Sequence, residues 1–451
     1  MGFKDLLRWD VAGFLKTGWL WPSEVLQPMG SVVRRVVSEV DGKTPKNELP
    51  IIGKITFGGE LSLSDEDERL NYKGRLFWAA AGQLVFSKIR LKQGSFCFVP
   101  ESLPSVAVSA EYPVFDIAEE KAVPAFLDLL LRSEYMKAVL DGLAHGGGTK
   151  TRIHPAQFEA LEIPIPPLVQ QQAIVSQWQA LQDAAQQAAA RADACEAAGR
   201  EAFLRSLGLE APVIKDKVRA FAVRWSELER CGGEANRLGQ RGGSVAAVAY
   251  PLVQGKDFIR EVSHGCSASP STQPTALEVL KISAVTKGWL DISEKKFAPD
   301  EPRLRMQFAL KQGDVLLCRT NGTLAYVGAA ALVEEDQSDL IYPDKVIRVR
   351  LQDNVVPAFF WQVLRTPYLR AQIESFARTA VGNYAIGGKD IWQFRIPLPP
   401  LNVQKNLVTA INDARAEAAR LRSEAAQLRQ QAQREIEAAL LGHPLAERVD
   451  G

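Results

Sequence analysis

One phrase of this chain occurs twice, and the recurrence narrows the folds open to it. Ile163-Pro164-Ile165-Pro166-Pro167-Leu168 leads through Gln171, Ile174, Val175 and Trp178 into a long run rich in Ala and Gln. Ile396-Pro397-Leu398-Pro399-Pro400-Leu401 restarts it, with Gln404, Leu407, Val408 and Ile411 at matching places and a constant offset (396 − 163 = 233). The chain is a tandem duplication, so each half must fold much as the other does.

After each doubled proline the apolar and small residues recur in steps of four and three. The first series is Ile174, Trp178, Leu181, Ala185, Ala188, Ala192, Cys195, Gly199 and Ala202; the second is Leu407, Ile411, Ala414, Ala418, Leu421, Ala425, Leu428 and Ala432. Sustained heptad spacing predicts two long helices, each with one packing seam. Proline suits the start of such a helix, where no backbone donor is needed. Order alone makes the pairing antiparallel, because each helix leaves its own domain toward the other. At about 1.5 Å per residue, Gln171 to Ala202 gives a bar of about 50 Å, with Leu421 and Leu428 large where the first helix is small.

Strand-like text precedes each helix: Ile51 to Ile55, Gly82 to Arg90 and Ser95 to Val99 in the first half; Leu280 to Ser283, Gly313 to Arg319 and Val346 to Arg350 in the second. Pro124, Phe126, Leu131, Arg132 and Tyr135 match Pro357, Phe359, Leu364, Arg365 and Tyr368 without a gap, on what reads as one amphipathic helix. The expected class is α+β: two mixed α/β domains joined by a long antiparallel two-helix coiled coil, pseudo-two-fold. The expected divisions are 1–165, 166–212, 213–398 and 399–445. The first thirty residues, with Trp9, Trp19 and Trp21, have no echo in the second half and are expected to pack under the first domain or onto a neighbour.

Basic and acidic residues balance at 54 against 53, so a nucleic-acid contact must come from local patches. Five cysteines without a Cys-x-x-Cys pair and four histidines point to a reduced, zinc-free, cytoplasmic protein. No apolar run reaches bilayer length, and Asp5 and Asp10 stand where a secretion signal is apolar, so no membrane partner is expected.

Catalytic constellations are missing. The nearest text to a phosphate-binding loop, Gly382 to Gly387-Gly388-Lys389-Asp390, has its lysine one place late and Asp where a hydroxyl would hold magnesium. Asp291 with Glu294, Lys295 and Lys296 is a triplet expected by chance in a chain one quarter charged. His145 and His154 lack partners at metal-ligand spacing. What remains are loops suited to DNA. Lys88, Arg90, Arg319, Asn321 and Thr323 end strands; Lys150, Thr151, Arg152, Arg378, Asn383 and Tyr384 lie in loops containing glycine, where backbone can approach phosphate. The proposed seam is carried by Trp178, Leu181, Ala188, Cys195, Ile411, Leu421 and Leu428.

Two variable domains, each closing on a Pro-Pro-Leu step into a long helix, resemble the specificity (S) subunit of type I restriction-modification systems. Gly82 to Ile89, Ser109 to Phe115 and Phe158 to Gln171 resemble its first target-recognition domain and central region; Gly313 to Leu316, Pro343 to Arg348 and Ile391 to Gln404 resemble the second. One departure is Gln170 and Val403, where the family often has Glu. The resemblance implies a non-catalytic subunit. Each domain would read one half of a bipartite asymmetric site in double-stranded DNA, while the coil sets spacing and docks two methyltransferase (M) subunits. It implies no cofactor in this chain; S-adenosylmethionine, ATP and magnesium would sit on the M subunits and the restriction/motor (R) subunits. Other readings are a stand-alone nuclease or methyltransferase and a coiled-coil scaffold with no DNA role.

Overall fold

The computed structural model describes residues 18–103, 105–143, 152–209, 249–380 and 382–444. It divides into two compact units, one of Met1–Ala189 with Arg422–Gly451 and one of Ala190–Leu421. Both long helices, α3 (Leu168–Leu207) and α6 (Leu401–Leu441), are numbered here in chain order, and each gives one stretch to each unit.

In the first unit, an antiparallel sheet runs in the order β2 (Val33–Val36), β5 (Val114–Ile117), β3 (Leu84–Phe86), β4 (Phe96–Phe98). Side chains alternate across it. Leu84, Phe86, Phe96 and Phe115 enter the core beneath the helices, while Val85, Cys97 and Val114 enter a smaller core with Ile52, Ile55 and Val106. The single helix expected after Pro124 is two, α1 (Pro124–Arg132) and α2 (Glu134–Leu143). Ser133 causes the break: its hydroxyl donates to Leu130 O at 2.7 Å and accepts the Met136 N–H at 3.1 Å, capping α2. Leu20 and Trp21 close the far end of α6 within this unit, while Trp9 lies outside the described residues. Leu20 N–H donates to Leu441 O (2.8 Å) and Trp21 Nε1 to Leu440 O (2.9 Å), satisfying carbonyls that a helix end leaves open.

The second unit repeats the scheme with β8 (Ile259–His264), β12 (Val346–Leu351), β9 (Val315–Cys318) and β11 (Ala330–Leu332) in the same spatial order. Strand β7 (Leu252–Gln254) pairs with β15 (Arg395–Pro397) as β1 (Leu26–Pro28) pairs with β6 (Glu162–Pro164). Helices α4 (Pro357–Leu364) and α5 (Pro367–Phe376) break at Thr366, which caps as Ser133 does.

Within each unit the helix stretches run antiparallel. In the first, Ile174 and Val175 share a core with Ile436, Ala439 and Leu440, and Gln177 Nε2 donates to Glu435 Oε2 at 2.7 Å. In the second, Ala192, Ala418 and Leu421 form one buried cluster, and the Cys195 thiol donates to Ala414 O at 3.6 Å. A Cβ on Gly199 would lie 2.7 Å from Ala414 Cβ, so only glycine permits this approach. Leu181, Ala188, Ile411 and Leu421 are buried, and Trp178, Cys195 and Leu428 are half-buried. Ala202, expected on the seam, is exposed; Phe203 and Leu207 are buried instead. A helix of 3.6 residues per turn drifts about 20° per heptad against a 3.5 repeat, so the inward face passes to the next residue.

Candidate nucleic-acid interface

In the second unit, β9 carries the chain to Arg319, where it turns into β10 (Thr320–Asn321). Arg319 is fixed by its backbone: its N–H donates to Lys345 O (2.8 Å) and its carbonyl accepts Ile386 N–H (3.0 Å). The guanidinium Nη1 donates to Asp344 O at 3.2 Å. The text expected as a loop from Arg378 to Tyr384 is a hairpin, β13 (Arg378–Ala380) with β14 (Asn383–Ala385), and β14 pairs with β10 so that Asn321 lies opposite Tyr384. Gly382, with φ near +76°, makes the turn. A cleft of about 310 Å³ results, lined by Ile282, Thr320, Asn321, Gly322, Lys345, Asn383 and Ala385.

The supports of this surface are as informative as its lining. Asn321 Oδ1 accepts Thr323 N–H at 3.0 Å, an Asx turn that shapes the exposed loop leading to Tyr326. Arg370, on α5, gathers that loop by donating to Leu324 O (3.0 Å), Ala325 O (3.3 Å) and Val327 O (2.6 Å), and it pairs with Glu374 at 2.8 Å. Arg378, mostly exposed, pairs with buried Asp390 at 3.0 Å. Asp390 also accepts Gly387 N–H at 2.8 Å, which explains an acid where a phosphate-binding loop has a hydroxyl. Tyr384 is half-buried against the core. Burial and the nearby Arg319 hold His264 below its usual pKa, against the pull of Asp344. Lys345, His264 and Arg370 escape sequence reasoning, because each is an ordinary cation until the fold shows what stands beside it.

The first unit builds its counterpart from other residues. Lys88 N–H donates to Glu111 O (3.1 Å), its carbonyl accepts Ile153 N–H (2.8 Å), and its Nζ donates to Ala110 O (2.5 Å). Strand-end cation, backbone partners and side-chain carbonyl thus match those of Arg319 one for one. Arg90 is exposed, and Arg152 pairs with Glu111 at 3.4 Å. Lys150 and Thr151 lie outside the described residues.

Chemically, both places offer half-exposed cations held by backbone carbonyls, with amides and hydroxyls nearby. Such groups donate to phosphate oxygens and to base edges. The thiol closest to the second site, Cys318, is pushed up to about 11 by burial and is no nucleophile. Asp291 and Glu294 are occupied as structural acids. Asp291 pairs with Lys287 at 2.7 Å, and Glu294 takes bonds from Lys281 (3.2 Å) and Ser283 (2.9 Å). No helix among the described residues is long and apolar enough to cross a membrane.

No family model matches the chain. It is 26% identical over 297 residues to the specificity subunit of the type I restriction enzyme EcoKI of Escherichia coli K12, covering 65% of this chain and 59% of that protein. It is 29% identical over 156 residues to the EcoEI specificity subunit of Escherichia coli, covering 34% of this chain and 26% of that protein. The chain thus spans less than two thirds of each of these relatives. Two solved chains share the fold. One, from work on complex assembly and conformational transition of the type I R-M system, has a TM-score of 0.57 at 18% identity, covering 95% of this chain and 97% of its own. The HsdS subunit from Thermoanaerobacter tengcongensis has a TM-score of 0.55 at 18% identity, covering 95% and 98%. These matches bear out the resemblance drawn from the repeated Pro-Pro-Leu step, and with it the α+β class.

Proposed function

We propose that this chain, a homologue of type I restriction specificity subunits with their fold, is the DNA-reading subunit of such a complex. Residues 1–165 and 213–398 each read one half of a bipartite, asymmetric site in double-stranded DNA. The helices within 166–212 and 399–445 set the spacing and dock two methyltransferase subunits, with restriction/motor subunits joining them. This chain makes no covalent step. S-adenosylmethionine, ATP and magnesium belong to the partners, and the complex works in the cytoplasm.

One observation carries the reading: Lys88 and Arg319 occupy the same backbone position in two domains whose surrounding residues differ. A strand-end cation kept in both copies amid different neighbours is what two readers of different half-sites would share. The test uses the assembled specificity–methyltransferase complex and the site found by mapping methylated bases genome-wide with and without this chain. Arg319→Ala and Lys88→Ala should each weaken specific binding by about 1–3 kcal/mol. Unchanged binding in both variants would remove these residues from the interface. Cutting or methylation by the purified chain with magnesium or S-adenosylmethionine would overturn the non-catalytic reading.

A further inference from the structure

A second cationic group lies in the second unit away from the cleft. Arg365, at the end of α4, and Arg415, on α6, both lie over the Trp361 ring, with guanidinium carbons 4.8 and 5.3 Å from its centroid. Both donate to neutral oxygens. Arg365 Nη1 donates to Gly288 O (2.6 Å), and Arg415 Nη2 donates to Gln362 Oε1 (3.1 Å). Arg200, on α3, follows Gly199, which packs against Ala414, the residue before Arg415, and it pairs with Glu196. Burial, then Arg415 and Arg200, hold Arg365 below the usual arginine range; burial and Arg200 do the same to Arg415. Arg415 is half-buried, Arg365 and Arg200 are exposed to solvent, and Glu196, paired with Arg200, is the acid beside them.

The duplicated half shows that folding does not require this. Subtracting or adding 233, Trp361 corresponds to Asp128, Arg365 to Arg132, Arg415 to Gln182 and Arg200 to Gln433. In the first unit Arg132 is neutralised by Asp128 at 2.9 Å, and Gln433 bonds Glu437 at 3.0 Å. Where one copy has an ion pair and two amides, the other has an aromatic platform and two added cations.

We propose that Arg200, Arg365 and Arg415 form a phosphate clamp that grips DNA backbone independently of sequence, beside the half-site read by the second unit. The inference rests on the DNA-reading assignment above. Arginines stacked on an aromatic keep their donor edges free for an oxyanion, and planar donors suit phosphate better than lysine does. Reach is adequate. Gly288, under Arg365, is six residues from Ile282 in the cleft wall, at most about 22 Å of extended chain. That is within roughly six steps of 3.4 Å along a strand of DNA.

The test takes its substitutions from the other copy, Arg200→Gln with Arg415→Gln, in the assembled specificity–methyltransferase complex. Binding of a non-cognate duplex is measured against salt concentration. Two lost phosphate contacts should flatten the log–log slope by about 1.8, at roughly 0.9 per contact, with the preference for the cognate site unchanged. An unchanged slope, with wild type binding DNA normally, overturns the clamp and leaves the reading function standing. Failure of the variant to assemble, with its melting temperature preserved, assigns the arginines to a protein partner and also overturns it. Absence of DNA binding by the wild-type complex defeats the reading function itself, and the clamp with it.

Discussion

Gln404 Oε1 accepts the Val356 N–H at 2.8 Å, while its Nε2 donates to Asn354 O at 3.0 Å and Pro399 O at 2.8 Å. Gln171 makes the same bonds to Val123 (2.8 Å), Lys121 (2.9 Å) and Pro166 (2.7 Å), and both side chains are fully buried. One amide thus ties the start of a domain helix, the loop before it and the proline step into a long helix. Gln404→Leu keeps the volume but strands one donor and two acceptors. The expected loss is about 3 kcal/mol of stability or more, at roughly 1 kcal/mol or more for each of the three buried polar groups left unmade. Denaturant unfolding reads this as a lower midpoint, and a variant with the wild-type midpoint would refute the role.

That glutamine pair also shows what the sequence could reveal. The offset of 233 holds where the same bonds recur, as at Gln171 and Gln404 or Ser133 and Thr366. It slips where the domains diverge: Lys88 and Arg319, equivalent in backbone bonding, are 231 apart (319 − 88). Strand-end position still marked both as candidates. The Arg378–Ala385 hairpin was illegible because its strands are three residues each and lack apolar alternation around Gly382. Arg370 was illegible because the carbonyls it gathers lie more than forty residues earlier in the chain.

Arg370 holds the exposed turn at Tyr326 without lying on the cleft. Replacing it should loosen that turn while leaving surface cations in place. For Arg370→Ala, affinity for non-cognate DNA and its salt slope should stay constant, while cognate preference falls by about tenfold, the equivalent of 1.4 kcal/mol. Arg370→Lys should restore little, because a point charge cannot serve three carbonyls and Glu374 with the same fork. A parallel fall in cognate and non-cognate binding would mean that Arg370 supports the fold generally.

His264 supplies a pH dependence of definite sign. Burial and Arg319 depress its pKa, so the imidazole is neutral near pH 7 in the free chain. The unfolded chain takes up this proton first, so the residue costs stability as pH falls below the unfolded value of about 6.5. A DNA phosphate bound beside it would reverse the balance by favouring the imidazolium. DNA affinity should therefore rise on acidification from pH 7.5 to 5.5, more in wild type than in His264→Gln. Fluorescence anisotropy across that range decides it; identical pH profiles would place His264 away from the phosphates.

The proposed ruler role of the long helices is tested by changing their length in phase. Ala188 and Leu421 are sequence counterparts (421 − 188 = 233), both buried on their seams. One heptad inserted after each adds about 10 Å to each helix and preserves the alternation of four and three that buries Ala185, Ala192, Ala418 and Ala425. Insertion into one helix alone puts its seam out of register and should cost folding or assembly. With both insertions, methylated-base mapping should return the same half-sites separated by about three more base pairs, at roughly 3.4 Å each. The original spacing, recovered from a complex that still methylates, would show that the helices do not set the distance.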